Sequence, residues 1–242
     1  MATHAVINGS RRDFLLGAAL LAMSPLAARA ADAPLKIATV GAGRIGSALG
    51  GLWVKAGHPV MFSSRHPEEL KDLVLNLGPL AQAGSVAEAI AFADAVLLAV
   101  PYRALPQIGK DHAPALAAKV LVLDACNPFP SRDGEIAVWA RERGAGRATA
   151  ELLPGARLVR AFNAIGAARL PEIASRRGVR TGMPMAGDDV HAIAVASSLM
   201  REINFEPVLI GPLTMGRHLV PGTPLAGEHT PAEIRSIAAT LK

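Results

Sequence analysis

The chain has 242 residues with a formal net charge of +5 at pH 7, and the 51% of hydrophobic residues is enough for one substantial α/β core. This mild basicity, without a run of lysine or arginine, argues against nucleic acid as a partner. Cys126 is the single cysteine, which excludes an internal disulfide and any metal or cluster site built from several cysteines.

Residues 1–30 have the pattern of a targeting segment. Arg11 and Arg12 precede an apolar stretch from Phe14 to Ala28, which resembles the twin-arginine export signal, and residues 28–30 (Ala-Arg-Ala) fit a small-x-small cleavage site. The apolar stretch is shorter than the about 20 residues that a membrane span needs. We predict cleavage and a periplasmic protein without a stable membrane span. Retention of the segment as an N-terminal anchor is the alternative.

A strand, a glycine turn, a helix and a second strand are predicted in succession over residues 35–65. An apolar run from Leu35 to Val40 ends in a GxGxxG sequence, and a second apolar run from Val60 to Phe62 follows an amphipathic helical pattern. This is the context in which GxGxxG indicates a dinucleotide site. The predicted pyrophosphate-binding residues are those of the turn: Gly41, Ala42, Gly43, Arg44, Ile45 and Gly46.

Each glycine of the turn has a distinct expected role. Gly41 permits the tight turn, Gly43 lets the backbone approach the pyrophosphate, and Gly46 lets helix and strand pack closely. The N–H groups at the positive end of the helix then face the phosphates.

The end of the second predicted strand favours NADP over NAD. An NAD site usually has an acidic residue about 20 residues after the glycines, where it accepts from the ribose 2′-hydroxyl. This chain has Ser63, Ser64 and Arg65 there, and the first acid is Glu68. Two hydroxyls and a guanidinium suit a 2′-phosphate. A polar loop with a solvated arginine is the alternative.

Apolar runs alternate with helical patterns through the rest of the chain, which predicts a doubly wound parallel α/β sheet, the NAD(P)-binding Rossmann fold, with a short C-terminal extension. We place the NADP-binding domain at residues 35–212 and a C-terminal loop and helix at residues 213–242. Predicted helices are Pro67–Leu77, Ser85–Phe92 (with Ser85 and Glu88 as a capping box) and Ala104–Ala118; predicted strands are Ala95–Val100, Val120–Asp124, Arg157–Phe162, 184–187 and 207–210.

The loops at the carboxyl ends of the strands are the expected ligand site of such a sheet. Val100 and Pro101 follow one strand, Asn127 follows the next, and Asn163 follows a third. Polar side chains and proline-fixed backbone at these positions suit a nicotinamide pocket. Ordinary turns are the alternative for any one of the loops.

The segment from Gly211 to Gly227 is rich in glycine and proline and has no clear structural pattern, which is typical of a lid, a binding loop or a subunit contact. It contains His218, a candidate catalytic acid for which a surface or interface histidine is the alternative. The other histidines show no i, i+4 pairing, so we expect no metal site.

The chain resembles the NADPH-dependent deazaflavin (coenzyme F-420) reductases, a family of NADP oxidoreductases that shares its domain type with pyrroline-5-carboxylate reductase. The resemblance extends over nearly all of residues 35–226 and is carried by GAGRIGSAL, the Ser-Ser-Arg after the second strand, LVRAFNAIGA at 158–167, PMAGDD at 184–189 and INFEPVLIGPL at 203–213.

The resemblance implies that Gly41, Gly43 and Gly46 hold the pyrophosphate and that Ser63, Ser64 and Arg65 hold the 2′-phosphate. It also implies hydride exchange between NADP(H) and a deazaflavin (coenzyme F-420) or a flavin-like acceptor. Stacked rings achieve such transfer by positioning, so no catalytic acid–base pair is required. The C-terminal segment is expected to complete the acceptor site or a homodimer contact. The competing hypothesis is a non-catalytic NADP-binding redox sensor or partner subunit.

Overall fold

The sheet has eight strands, each short and most of them buried on both faces. A computed structural model describes residues 33–241, so the predicted targeting segment at residues 1–30 lies outside the described residues. The strands are β1 Ile37–Val40, β2 Val60–Ser63, β3 Ala81–Gly84, β4 Ala95–Leu98, β5 Leu121–Asp124, β6 Leu158–Ala161, β7 Thr181–Gly187 and β8 Phe205–Gly211.

Helices connect the strands and cover both faces of the sheet. They are α1 Arg44–Lys55, α2 Lys71–Leu77, α3 Val86–Phe92, α4 Leu105–Ala117, α5 Pro130–Asp133, α6 Glu135–Arg143, α7 Ala145–Leu152, α8 Arg169–Ser175, α9 Val190–Glu202 and α10 Pro231–Ala238. Ser85 caps α3, and its reciprocal hydrogen bonds with Glu88 confirm the predicted capping box. The predicted helix Pro67–Leu77 divides into a 3-10 helix, Pro67–Leu70, and α2.

The strand order is β3-β2-β1-β4-β5-β6-β7-β8, which confirms the predicted Rossmann-type α/β fold. Because β1 lies between β2 and β4, the chain reverses direction across the sheet at β1, and a crevice opens at the carboxyl ends of β1 and β4. Strands β1 to β6 are parallel to one another, so their carboxyl ends share one edge of the sheet. The residues predicted to bind the nucleotide follow the ends of five of these strands.

One prediction about the sheet is wrong in part, because the sheet is not wholly parallel. Strand β7 pairs antiparallel with β6, and β8 is parallel to β7. The chain leaves β6, passes through the short α8 and returns along the same edge, so no crossover helix carries it back to the amino ends. The strand β3 was not predicted, since its sequence Ala-Gln-Ala-Gly has no β-branched or aromatic residue.

Two hydrophobic clusters fill the two faces of the sheet. Trp53 and Phe205 belong to the cluster beneath α1, α8 and α9, whereas Tyr102 and Leu116 belong to the cluster on the opposite face. A third, smaller cluster packs α10 and Leu225 against β7 and β8. Within residues 33–241, no helix has the length and apolarity to cross a membrane.

Candidate nucleotide-binding site

Two glycines of the turn after β1 have no room for a side chain. Gly41 has φ +96°, and a Cβ there would lie 2.6 Å from the carbonyl oxygen of Ala99 in the strand-end loop of β4. A Cβ on Gly46 would lie 2.0 Å from the carbonyl oxygen of Gly41. The turn and the first turn of α1 are therefore packed against each other so closely that only glycine fits at both positions.

Gly43 differs from these two because the space in front of it is open. It is the N-cap residue of α1 with φ −74°, it is exposed, and a Cβ there would meet no atom within 4 Å. No side chain caps the helix, and its first turn contains no acidic residue. The first N–H groups of α1 thus face open space at the positive end of the helix, which fits an anionic pyrophosphate.

Hydrogen bonds of Ala42 hold the glycine turn in place, whereas the side chain of Arg44 takes no part in them. The N–H of Ala42 donates to the Ser63 carbonyl at 2.9 Å, and the Ser47 hydroxyl donates to the Ala42 carbonyl at 2.8 Å. Ile45 is half-buried, whereas Arg44 is exposed and forms no hydrogen bond or ion pair with any residue in 33–241. Arg44 is therefore a cation beside the glycine turn that no group in residues 33–241 neutralises.

The three residues after β2 differ in what their side chains contact. Ser63 is fully buried, and its hydroxyl oxygen lies 3.4 Å from the N–H of Gly41, so this side chain supports the glycine turn from below. The half-buried Ser64 accepts from the N–H of His66 at 3.1 Å. Arg65 is exposed and, within the described part of the chain, has no hydrogen-bond or ion-pair partner. All five N–H donors of the Arg65 guanidinium are therefore available to a ligand at this strand end.

Val100 and Pro101 form the other wall of the crevice. Val100 is half-buried, and its Cγ1 would lie 2.8 Å from a Cβ on Gly41, so its side chain lies directly beside the glycine turn. Pro101 is exposed and begins the 3-10 helix Tyr102–Ala104 as its N-cap residue. The structure therefore brings the β4 loop and the glycine turn together, as the sequence predicts.

Asn127 and Asn163, after β5 and β6, are joined in one amide pair. The Nδ2 of Asn127 donates to the Asn163 carbonyl at 2.7 Å. The Nδ2 of Asn163 lies 3.2 Å from the Asp124 carbonyl oxygen and 3.3 Å from that of Cys126. Asn163 is 3% exposed, and its Oδ1 has no hydrogen-bond partner among residues 33–241. The preceding Phe162 has φ +64°, a conformation that bulky residues rarely adopt.

Arg160 and Asp124, which sequence reasoning missed, form a buried ion pair behind this amide pair. They are register partners on β6 and β5, their side chains are 0% and 1% exposed, and the Arg160 Nη1 lies 2.7 Å from the Asp124 Oδ2. A charged residue in the middle of the apolar run Leu-Val-Arg-Ala-Phe is the sequence feature that could have identified Arg160.

All five N–H donors of Arg160 have acceptors. Besides Asp124, the guanidinium donates to the carbonyls of Cys126, Gly216 and Leu219 at 2.8, 3.2 and 3.1 Å, and to the Oδ1 of Asn127 at 3.2 Å. This fully satisfied fork ties the end of β5 to the segment after β8. It also fixes which way the Asn127 amide points.

The carboxylate of Asp124 also accepts from neutral groups. Its Oδ1 accepts from the Cys126 N–H at 2.8 Å, and its Oδ2 accepts from the Thr149 hydroxyl, itself 3.1 Å from the Tyr102 hydroxyl. Burial, reinforced by the Asp124 charge, raises the pKa of the Tyr102 phenol and that of the Cys126 thiol. Both groups therefore stay protonated at neutral pH and act as packing and hydrogen-bonding groups.

The segment predicted as an unstructured loop from Gly211 to Gly227 is partly helical, because Leu213–His218 forms a 3-10 helix. His218 is half-buried at the end of that helix, and its carbonyl accepts from the Thr223 hydroxyl at 2.6 Å. Further along, the N–H of Gly227 donates to the Ala164 carbonyl at 2.9 Å. The C-terminal segment thus packs against the loop that carries Asn163. Among the described residues, no group of three or more His, Cys, Asp or Glu side chains could hold a metal ion.

Comparison with known proteins supports a nucleotide site in the part of the chain that forms β1 to β5. Residues 36–128 match the family model described as NADP oxidoreductase, coenzyme F420-dependent. This range contains the glycine turn, the Ser-Ser-Arg segment, the β4 loop and Asn127, but neither Arg160 nor Asn163.

Solved structures extend the likeness to most of the chain. A hypothetical protein, SMa0349, from Sinorhizobium meliloti is 27% identical with a TM-score of 0.67, and the match covers 82% of this chain and 96% of that one. A candidate F420-dependent NADP reductase from Arthrobacter sp. FB24 is 22% identical with a TM-score of 0.63, over 76% and 87% of the two chains. The 3-hydroxyisobutyrate dehydrogenase of Mycobacterium tuberculosis is 19% identical with a TM-score of 0.55, over 76% and 57%.

The lower identities show the shared fold, whereas the family model bears on the nucleotide site itself. Its match confirms the resemblance predicted from the sequence and the class of enzyme, and it leaves the hydride acceptor open. Over residues 36–128, the chain is similar to the NADP oxidoreductases of the coenzyme F420-dependent type.

Proposed function

We propose that this protein binds NADP(H) along the carboxyl edge of β2, β1, β4, β5 and β6 and exchanges hydride with a deazaflavin or a flavin-like acceptor. The observation that supports this most strongly is the open position in front of Gly43 and the uncapped end of α1. It lies where the strand order reverses, which is where open α/β sheets bind dinucleotides.

The chain's own residues have separable roles in this proposal. The N–H groups of Gly43 and the first turn of α1 bind the pyrophosphate, and Arg65, with Ser64 beside it, binds the 2′-phosphate. Val100 and the amide pair of Asn127 and Asn163 orient the nicotinamide end. NADPH supplies the hydride when bound. The protein's part is to place two rings in contact and exclude water, so the neutral, apolar and amide groups around the strand ends are sufficient.

An acceptor screen tests the reaction. Purified protein is expected to oxidise NADPH steadily in the presence of a deazaflavin such as coenzyme F-420, or of FMN, followed by the fall in NADPH absorbance. Gly43→Val, which fills the open position, is the matched variant and is expected to abolish turnover. Tight NADPH binding without turnover on either acceptor would instead support the non-catalytic NADP-binding module.

The preference for NADP is expected to depend on Arg65. Arg65→Ala should weaken NADPH binding by roughly 1.5–3 kcal/mol, the scale of a charge-assisted hydrogen bond, and should leave NADH binding nearly unchanged. The folded chain should tolerate this change because Arg65 is exposed and has no partner among residues 33–241. Isothermal titration calorimetry with the two dinucleotides measures the difference.

Lys55→Ala is the control for Arg65, since this exposed cation lies at the other end of α1. It removes the same charge from the surface far from the strand ends and should change neither affinity. An equal loss of NADPH and NADH affinity in Arg65→Ala would show that Arg65 shapes the loop rather than binding the 2′-phosphate.

We further propose that the twin-arginine route exports the protein to the periplasm. That route carries folded proteins, so this domain could fold around its nucleotide before crossing the membrane. Cell fractionation and N-terminal sequencing should find a mature chain that begins at Ala31. Arg11→Lys with Arg12→Lys should leave an uncleaved cytoplasmic chain, whereas Arg29→Lys, at the variable position of the cleavage site, should export normally. An intact N-terminus on a cytoplasmic wild-type pool would refute the export proposal.

A further inference from the structure

Two unfavourable features stand next to each other at the end of β6. The Oδ1 of Asn163 is buried without a hydrogen-bond donor in the described part of the chain, and Phe162 has φ +64°. A buried acceptor without a donor and a bulky residue in the left-handed region each destabilise the folded chain. The surroundings impose both, which points to a use for this local geometry beyond packing.

The orientation of the Asn163 amide is fixed by its neighbours. Its Nδ2 faces the carbonyls of Asp124 and Cys126, so the oxygen is the atom left over. Exchanging the oxygen and nitrogen would place the oxygen against these two carbonyl oxygens and leave the N–H groups unpaired. The unpartnered atom is therefore an acceptor and not a donor.

Arg160 holds this arrangement from behind. Its Nη2 donates to the Oδ1 of Asn127, which turns the Nδ2 of Asn127 toward the carbonyl of Asn163. Its Nη1 donates both to Asp124 and to the Cys126 carbonyl that faces Asn163. One buried guanidinium thus orients Asn127 directly and Asn163 through the Cys126 carbonyl, without a hydrogen bond to Asn163 itself.

We infer that Arg160 is a positioning residue and that, through Asn127, it presents the Oδ1 of Asn163 as an acceptor for the carboxamide N–H of a nicotinamide ring. The inference rests on the proposed function and specifies its nicotinamide end. The Oδ1 of Asn163 lies among backbone carbonyl oxygens, so its ligand must be a hydrogen-bond donor. The carboxamide of nicotinamide is neutral and has two N–H donors. Strand β4 lies between β1 and β5, so two strand spacings, about 10 Å, separate the glycine turn from the loop that carries Asn127. A ribose bearing a nicotinamide has about this length, so it could reach from the pyrophosphate site to the amide pair. Because the oxygen is buried in this structure, the proposed contact requires the strand-end loops to shift when the nucleotide binds.

Two probes separate this role from a general structural one. NADP+ contains the nicotinamide, and adenosine 2′,5′-bisphosphate contains the 2′-phosphate end without it. Asn127→Ala and Asn163→Ala are each expected to weaken NADP+ binding about tenfold, the scale of one hydrogen bond, and to leave the affinity for the bisphosphate unchanged. Calorimetric titration of the purified chain measures both affinities without requiring turnover.

Thr149→Val is the matched control, because it removes a buried hydroxyl that donates to Asp124 and forms no hydrogen bond with Asn127 or Asn163. It should lower the midpoint of thermal unfolding and leave both affinities unchanged. Circular dichroism checks that each variant is folded, and Asn127→Ala carries the test if Asn163→Ala does not fold.

Equal losses for both probes, or no loss for NADP+, would overturn the positioning role while leaving the proposed function intact. A wild-type chain that binds the bisphosphate but gains nothing from the nicotinamide half would also overturn it. If the wild type binds neither probe, the proposed function fails together with the inference.

Discussion

Gly43→Ala is expected to weaken NADP+ binding by roughly 10- to 100-fold and to leave the free energy of unfolding close to that of the wild type. With φ −74° and no atom within 4 Å of the new Cβ, alanine fits the folded chain without strain. The methyl group would occupy the space directly before the first N–H groups of α1. Forcing a bound pyrophosphate outward by that distance costs on the scale of overpacking, about 1–3 kcal/mol.

Gly46→Ala, three residues further on, is expected to show the opposite pattern. Its Cβ would lie 2.0 Å from the carbonyl oxygen of Gly41, so the backbone of the turn or of α1 must move. We expect a loss in the free energy of unfolding of roughly 1–3 kcal/mol, measured by urea denaturation, with any loss of affinity following from the displaced turn. If Gly43→Ala unfolded the chain, or bound NADP+ as the wild type does, the open position would not be the phosphate site.

The glycine turn could be predicted from sequence because its determinants are local. The spacing of Gly41, Gly43 and Gly46 between an apolar run and a helical pattern specifies the turn, and the alternation of strands and helices specifies the fold class. The sequence does not distinguish the open position of Gly43 from the two closed ones. At Gly41 that difference depends on Ala99, which β4 brings to the turn from more than fifty residues away, and at Gly46 it depends on the carbonyl of Gly41.

Features that depend on pairing across the sheet were not predictable in the same way. Strand β3 forms because β2 offers an edge, since its own residues favour no strand. The antiparallel direction of β7 is not indicated by the length of the chain between β6 and β7, since β1 and β2 are joined by a segment of the same length and are parallel. Ser63 was predicted among the phosphate ligands, and only the register of β2 with β1 shows that its side chain lies beneath Gly41.

The ion pair of Arg160 and Asp124 belongs to the same class of features. Each residue is a single charged position in an apolar strand, and nothing in the spacing of 36 residues indicates that the two are register partners. A buried charge in a strand nonetheless requires a partner, so the presence of one such residue should direct a search for the other.

Arg160→Met is expected to lower the free energy of unfolding by about 3–5 kcal/mol, the cost of leaving one member of a buried ion pair without the other. Methionine matches the length of the side-chain stem, but the Asp124 carboxylate and the other acceptors of the guanidinium lose their donor. Since such domains are typically stable by only 5–15 kcal/mol, urea denaturation should detect a change of this size clearly.

Arg157→Met provides the control, because Arg157 lies three residues earlier, is 45% exposed and is 3.7 Å from Asp189. An exposed pair contributes about 0–1 kcal/mol, so this variant should unfold nearly as the wild type does. Combining Arg160→Met with Asp124→Asn should recover part of the loss, since the second change removes the uncompensated carboxylate. Equal losses for Arg157→Met and Arg160→Met would contradict the assignment of Arg160 as the buried clamp between β5, β6 and the segment after β8. In the double variant we expect part of the free energy of unfolding to be recovered but the NADP+ affinity to stay low. This result would separate the stabilising role of the ion pair from the role of the guanidinium in orienting Asn127.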